Sequence, residues 1–203
     1  GQHPAIIEPA TWDEVQRRLT TDSARLRGRA GGNSTSVLAG KLYDETGDRL
    51  TPSHANKRGR RYRYYVSRRL IRESGDAAQD GWRLPARQLE QALARAIGDA
   101  FRDRGRIAAM MPDLGAHEVA QVERRIGDLV ASIEGNDGMS VVSELLERAE
   151  IASDGLIIRL DATSVAAHLT LTSDRLNRET LTITAPFRMR RRGVETKLIL
   201  GAE

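Results

Sequence analysis

The 24 residues from Arg49 to Arg72 hold nine cations, Lys57 and eight arginines, and no carboxylate. No fold can bury such a run, because an unpaired buried charge is too costly. The segment must therefore lie on a surface, and the rest of the chain must supply the core. Inside it, RYRYYVSRRL (Arg61 to Leu70) is rich in the aromatic and β-branched residues that favour strands. Strand alternation sets Arg61, Arg63 and Tyr65 on one face and Tyr62, Tyr64 and Val66 on the other. The expectation is that the arginine face is open and the Tyr62/Tyr64/Val66 face packs inward. The whole chain carries +4, so everything outside this run sums to −5, the difference between +4 and +9. One segment turns a mildly acidic protein basic, as binding to a phosphate backbone requires. A second cluster, Arg188, Arg190, Arg191 and Arg192, lies near the C-terminus.

The remaining 179 positions alternate between helical and strand patterns. Thr11 to Glu14 fits a capping box, and Trp12, Val15 and Leu19 continue a helix over about 12–26. Gly28 to Ser36 reads as a linker. Val37 to Tyr43 reads as a strand, Asp44 to Asp48 as a polar turn, Arg49 to Thr51 as a return strand and Ser53 to Gly59 as a loop. With Arg61 to Leu70 these predict a small antiparallel ribbon. Leu89, Leu93, Ile97 and Phe101 form the stripe of a helix running to about Arg104. Val119, Val122, Ile126, Leu129 and Ile133 are spaced 3, 4, 3, 4 on a helix from His117 to Glu134. That is a heptad seam a little over two heptads long, which suits a helical bundle better than a coiled coil. A further helix is expected over Val141 to Ala149. Strands are expected at Leu156–Leu160, Leu181–Ala185 and Val194–Leu200.

The fold class is thus α+β: a β-ribbon packed with helices, a helical hairpin and a β-rich C-terminal segment. The expected divisions are 1–30, 31–112, 113–152 and 153–203.

Several functions are excluded or unsupported. There is no cysteine, which removes disulfides, thiol catalysis and cysteine-based zinc sites. The four histidines are scattered, without metal-ligand spacing. Phosphate loops and nucleophile elbows are absent. Asp44, Glu45 and Asp48 read as an acidic turn rather than a cation site. No apolar run approaches the ~20 residues that span a bilayer. The expectation is a cytoplasmic, non-enzymatic chain without cofactor or zinc. The missing initiator Met reads as a start inside a longer protein.

His3 to Leu19 (HPAIIEPATWDEVQRRL) resembles the end of the recombinase domain of large serine recombinases. Ser36 to Leu70 resembles the ribbon domain that follows it, with Leu38-Ala39-Gly40-Lys41-Leu42 leading in and Tyr64-Tyr65 leading out. Arg83 to Phe101 resembles the next helix, and PFRMRRRGVETKLIL a C-terminal segment of a bacterial subgroup. Many members hold the ribbon with zinc on four cysteines. The positions near Tyr43–Gly47 and at Ser67 carry none, so strand pairing, packing of Val37, Leu38, Leu42, Leu50, Tyr64 and Val66, and the helix at Leu89–Phe101 must hold it instead.

The resemblance implies DNA recombination and integration in a mobile element. The parent would be a dimer on a double-stranded attachment site and a tetramer in the synapse, with a serine on an upstream catalytic domain. This chain would be a recognition part without catalytic residues. Lys57, Arg58, Arg60, Arg61, Arg63, Tyr65, Arg68 and Arg69 are the expected DNA contacts. A protein-interaction module pairing through the heptad seam, with the basic run as solvated surface, is the alternative, and a general nucleic-acid binder, RNA included, is a third reading.

Overall fold

In the computed structural model, residues 36–57, 59–72, 81–192 and 195–200 are described, with backbone alone from residue 188 on. The expected helix over 12–26 and the linker before Ser36 lie outside the described residues. The described elements, in chain order, begin with strands β1 (Leu42–Asp44), β2 (Leu50–Lys57) and β3 (Arg60–Ser67), followed by the short helix α1 (Arg68–Arg72). Strand β4 (Arg83–Pro85) leads into helices α2 (Ala86–Arg102), α3 (Arg104–Met110), α4 (Ala116–Glu134) and α5 (Gly138–Leu145). Strands β5 (Leu146–Ile151) and β6 (Gly155–Leu160), helix α6 (Ala162–Leu169), two short 3-10 turns, and strands β7 (Thr182–Arg192) and β8 (Glu195–Leu200) complete the chain. The class is α+β, as the alternation of sequence periods predicts.

Two sheets share the strands. One has the order β2-β3-β4 and is antiparallel throughout. The other runs β1-β5-β6-β7-β8, antiparallel except for the parallel pair β1–β5. The ribbon therefore differs in composition from the expected one. Its third strand is Arg83–Pro85, and Leu42–Asp44 belongs to the other sheet. Gly40, at φ 89°, turns the chain within Ser36–Lys41, where Ala39 and Lys41 donate to the carbonyls of Ser36 and Leu38. Beyond that turn the Lys41 ammonium donates to the carbonyls of Ser143 (2.5 Å) and Leu146 (2.7 Å). A cation on the last carbonyls of α5 is favoured by the helix dipole, and it docks β1 against β5.

Three further expectations need correction. Ser53 to Lys57 is strand, not loop, because the hairpin turn is as short as it can be. Lys57 pairs with Arg60, and Gly59 supplies the positive φ of 75° that such short turns demand. The helix expected over Val141–Ala149 ends at Leu145. Leu146, Ala149 and Ile151 are buried against both neighbouring strands, with a register shift between Leu146 and Arg148. Helix α6 is an element beyond those expected, and Asp161 caps it by accepting from the Ser164 N–H at 2.7 Å.

The heptad seam is spent inside the molecule. Val122, Ile126, Leu129 and Ile133 are all under 10% exposed and pack with Leu93, Ile97 and Phe101 of α2 and Val142 and Leu145 of α5. Only Val119 is open, at 39%. The seam is bundle packing, and the alternative of pairing through it loses its surface. Gly138 lets α5 start hard against the end of α4, where a Cβ would lie 2.0 Å from the Ile133 carbonyl.

One apolar core runs from Leu38 to Phe187. The boundaries expected at residues 112–113 and 152–153 fall inside it. The described residues from Ser36 onward form one unit.

Candidate nucleic-acid interface

The β2–β3 hairpin is built in two halves. Its base is enclosed: Leu50, Tyr65 and Ser67 are fully buried and Val66 nearly so. Its outer half, from His54 to Tyr62, is exposed or half-exposed on both faces. A strand pair exposed on both faces is an arm, and this one ends on Lys57, Arg60 and Arg61.

Two polar clusters fix the base. Asp44 is fully buried. Its Oδ1 accepts from the Thr46 N–H (3.0 Å), the Thr46 hydroxyl (2.6 Å) and the Asp48 N–H (3.1 Å). Its Oδ2 accepts from the Ser67 hydroxyl (2.8 Å) and the Arg69 guanidinium (2.5 Å). Ser67 in turn accepts from the Trp82 N–H at 2.9 Å, tying β3 to the start of β4. Burial alone would raise the Asp44 pKa, but the hydrogen bonds from Thr46, Ser67 and Arg69 outweigh it and hold the carboxyl below its ordinary 3.8. The acidic turn is therefore a joint between ribbon and body. Among the described residues no group of three or more His, Asp or Glu is placed to hold a metal.

The second cluster lies under the ribbon. Glu90, 6% exposed on α2, takes a bidentate pair from Arg63 (3.1 and 3.0 Å) and the Tyr65 hydroxyl at 3.0 Å. Burial, and then the adjoining Glu90 charge, push the Tyr65 phenol well above its ordinary 10.

These contacts revise the expected site. Tyr65 is fully buried and cannot touch DNA; it is the inward residue of its strand. The inner end of the Arg61/Arg63/Tyr65 face turns toward α2. On the opposite face Tyr62 is 42% exposed rather than packed inward, and Tyr64 lies under the Arg83 guanidinium, 4.8 Å from its ring centre. Arg63 and Arg69 are each committed to carboxylates. Arg58 lies outside the described residues. Lys57, Arg60, Arg61 and Arg68 are exposed, and none has an ion pair among the described residues. Of the eight expected contacts the structure thus brings Lys57, Arg60 and Arg61 together at the tip and sets Arg68 at the base.

Asp44, Arg83 and Glu90 were not foreseen as parts of the site. Glu90 had a signal: it is one residue from Leu89 and three before Leu93, on the flank of the apolar stripe. The Arg188–Arg192 cluster falls on β7, in a backbone hairpin with β8. Two open clefts, of about 350 and 420 Å³, lie away from the arm and are lined by none of the eight residues. No helix among the described residues is long and apolar enough to cross a membrane. No known protein family, curated protein or solved structure matches the chain.

Proposed function

We propose that the β2–β3 arm binds double-stranded DNA at a specific site. In this reading the chain is the C-terminal recognition part of a serine site-specific recombinase whose catalytic domain lies outside it. The observation that carries the reading is the arm itself, which projects clear of the core on both faces and ends on cations with no acidic partner among the described residues. A two-stranded ribbon is one of the two elements that the ~12 Å major groove admits. Lys57, Arg60 and Arg61 are the contacts at the tip, and Arg68 a phosphate contact at the base. The chain works without cofactor and has no catalytic role of its own. It acts in the cytoplasm, where the parent protein is a dimer on each attachment site and a tetramer in the synapse.

Fluorescence anisotropy with a mixed-sequence duplex, across a salt series, tests the proposal. Binding should fall steeply with salt. Lys57→Ala and Arg60→Ala should each weaken it and flatten the salt slope by about one unit. Duplex affinity that is absent, or indifferent to these substitutions, refutes the reading.

A further inference from the structure

The two faces of the arm differ in chemistry, and the register of the hairpin says how. Directly opposed residues of an antiparallel pair share a face. Asn56 pairs with Arg61 and His54 with Arg63, so these four lie on one face. Ala55 pairs with Tyr62 and Lys57 with Arg60 on the other. The first face carries planar hydrogen-bonding groups. The second carries an aromatic ring and two flexible cations.

Within the first face Glu90 makes a further division. It holds the Arg63 guanidinium at both nitrogens, so that group is already spoken for. Arg61 and Asn56 are exposed, and neither has a hydrogen-bond partner among the described residues. They stand opposite each other one step from the tip. Their β-carbons are separated by about 4.5–5.5 Å, as for any cross-strand pair, which suits neighbouring base pairs stacked ~3.4 Å apart. A guanidinium matches the paired acceptors O6 and N7 of guanine, and a carboxamide the donor–acceptor pair N6 and N7 of adenine. Among the described residues of the outer arm, Asn56 has the one carboxamide, the group that matches that adenine pair.

We infer that Asn56 and Arg61 are the specificity-determining pair of the arm, reading an adenine and a guanine in adjacent base pairs through the major groove. The inference rests on the duplex-binding reading above. Lys57 and Arg60, on the opposite face, hold the phosphates and carry no sequence information.

The test is selection of a randomised duplex pool by the full 203-residue chain, followed by sequencing. The wild-type chain should enrich a motif with adjacent A·T and G·C pairs. Asn56→Ala should relax the first position by roughly ten-fold and Arg61→Ala the second, the other positions staying fixed. Asn56→Asp should exchange the adenine for cytosine, whose amino group a carboxylate accepts. Lys57→Ala should keep the whole motif at lower affinity. If Asn56→Ala and Arg61→Ala enrich the wild-type motif, the pair does not read bases and the inference falls. A wild-type chain that binds duplex but enriches no motif overturns the inference alone. A chain that binds no duplex overturns the proposed function with it.

Discussion

Glu90 decides how the arm meets the body. It sits at 6% exposure between a guanidinium and a phenol, and each would be left poorly satisfied without it. Removing one partner of a fully buried ion pair costs about 3–5 kcal/mol. Arg63 keeps a third of its side chain exposed, so Glu90→Ala should cost less, about 2 kcal/mol. Urea unfolding measures this, and an unchanged midpoint would mean the clasp is inert. Asp44 is one of the carboxylates, with Glu118 and Asp161, whose lowered pKa makes stability fall in acid. Its folded pKa is depressed, so its stabilisation is complete above the ordinary value of 3.8 and is lost as pH falls from there through the folded value. Asp44→Asn should reduce the acid dependence, leaving the part due to Glu118 and Asp161, as well as lower stability at neutral pH. Parallel acid titrations of the two proteins by circular dichroism give the comparison. Tyr65 has the opposite sign. Its raised folded pKa means that stability is kept below pH 10 and lost above it. Alkaline difference spectra should show this phenol ionising only together with unfolding.

At the scale of elements, α4 and the ribbon hairpin make separate predictions. Leu129 is 3% exposed in the core, so Leu129→Ala should cost about 2–5 kcal/mol. Val119→Lys, on the open turn of the same helix, should stay within about 0.5 kcal/mol. Ile126→Asp should unfold the chain rather than dissociate an oligomer, and sedimentation with circular dichroism tells the two apart. Gly59→Ala meets no steric obstacle, since nothing lies within 4 Å of its Cβ position. Its cost of about 1 kcal/mol comes from the positive φ alone. These elements also show what the sequence made legible. The stripe from Leu89 to Phe101 and the seam from Val122 to Ile133 announce themselves by period, because each buries one regular face, and the strand RYRYYV by its aromatic and β-branched content. Leu42–Asp44 and Arg83–Pro85 are three residues long and have no period to read; their partners are fixed by the tertiary fold. The inversion at Tyr65 has a similar origin. Alternation divides a strand into two faces but does not say which one a distant carboxylate, here Glu90, will claim. The cations of the tip were plain in composition, whereas Asn56 becomes a candidate only once Lys57 is paired with Arg60.

For the molecule as a whole, the ribbon is part of a larger core rather than a unit of its own. Tyr65 and Leu84 pack into the same cluster as Leu145, Leu156 and Ile183. A fragment of residues 36–112 should therefore fail to fold, and a dispersed amide spectrum from it would contradict that. The dependence has a temporal side. Lys41 caps carbonyls as far as 105 residues along the chain, and β1, apart from one bridge between Tyr43 and Arg49, gains its ladder partner among the described residues only when β5 exists. Closing a loop of that length costs about 4 kcal/mol of chain entropy, and contacts this distant form late. During synthesis the cationic arm leaves the ribosome well before β5, on which β1 with its Asp44 depends. Nascent chains thus pass through a stage in which their most charged segment is exposed and unanchored, amid ribosomal RNA. Moving β5 and β6 ahead of residue 36 by circular permutation would shorten that interval.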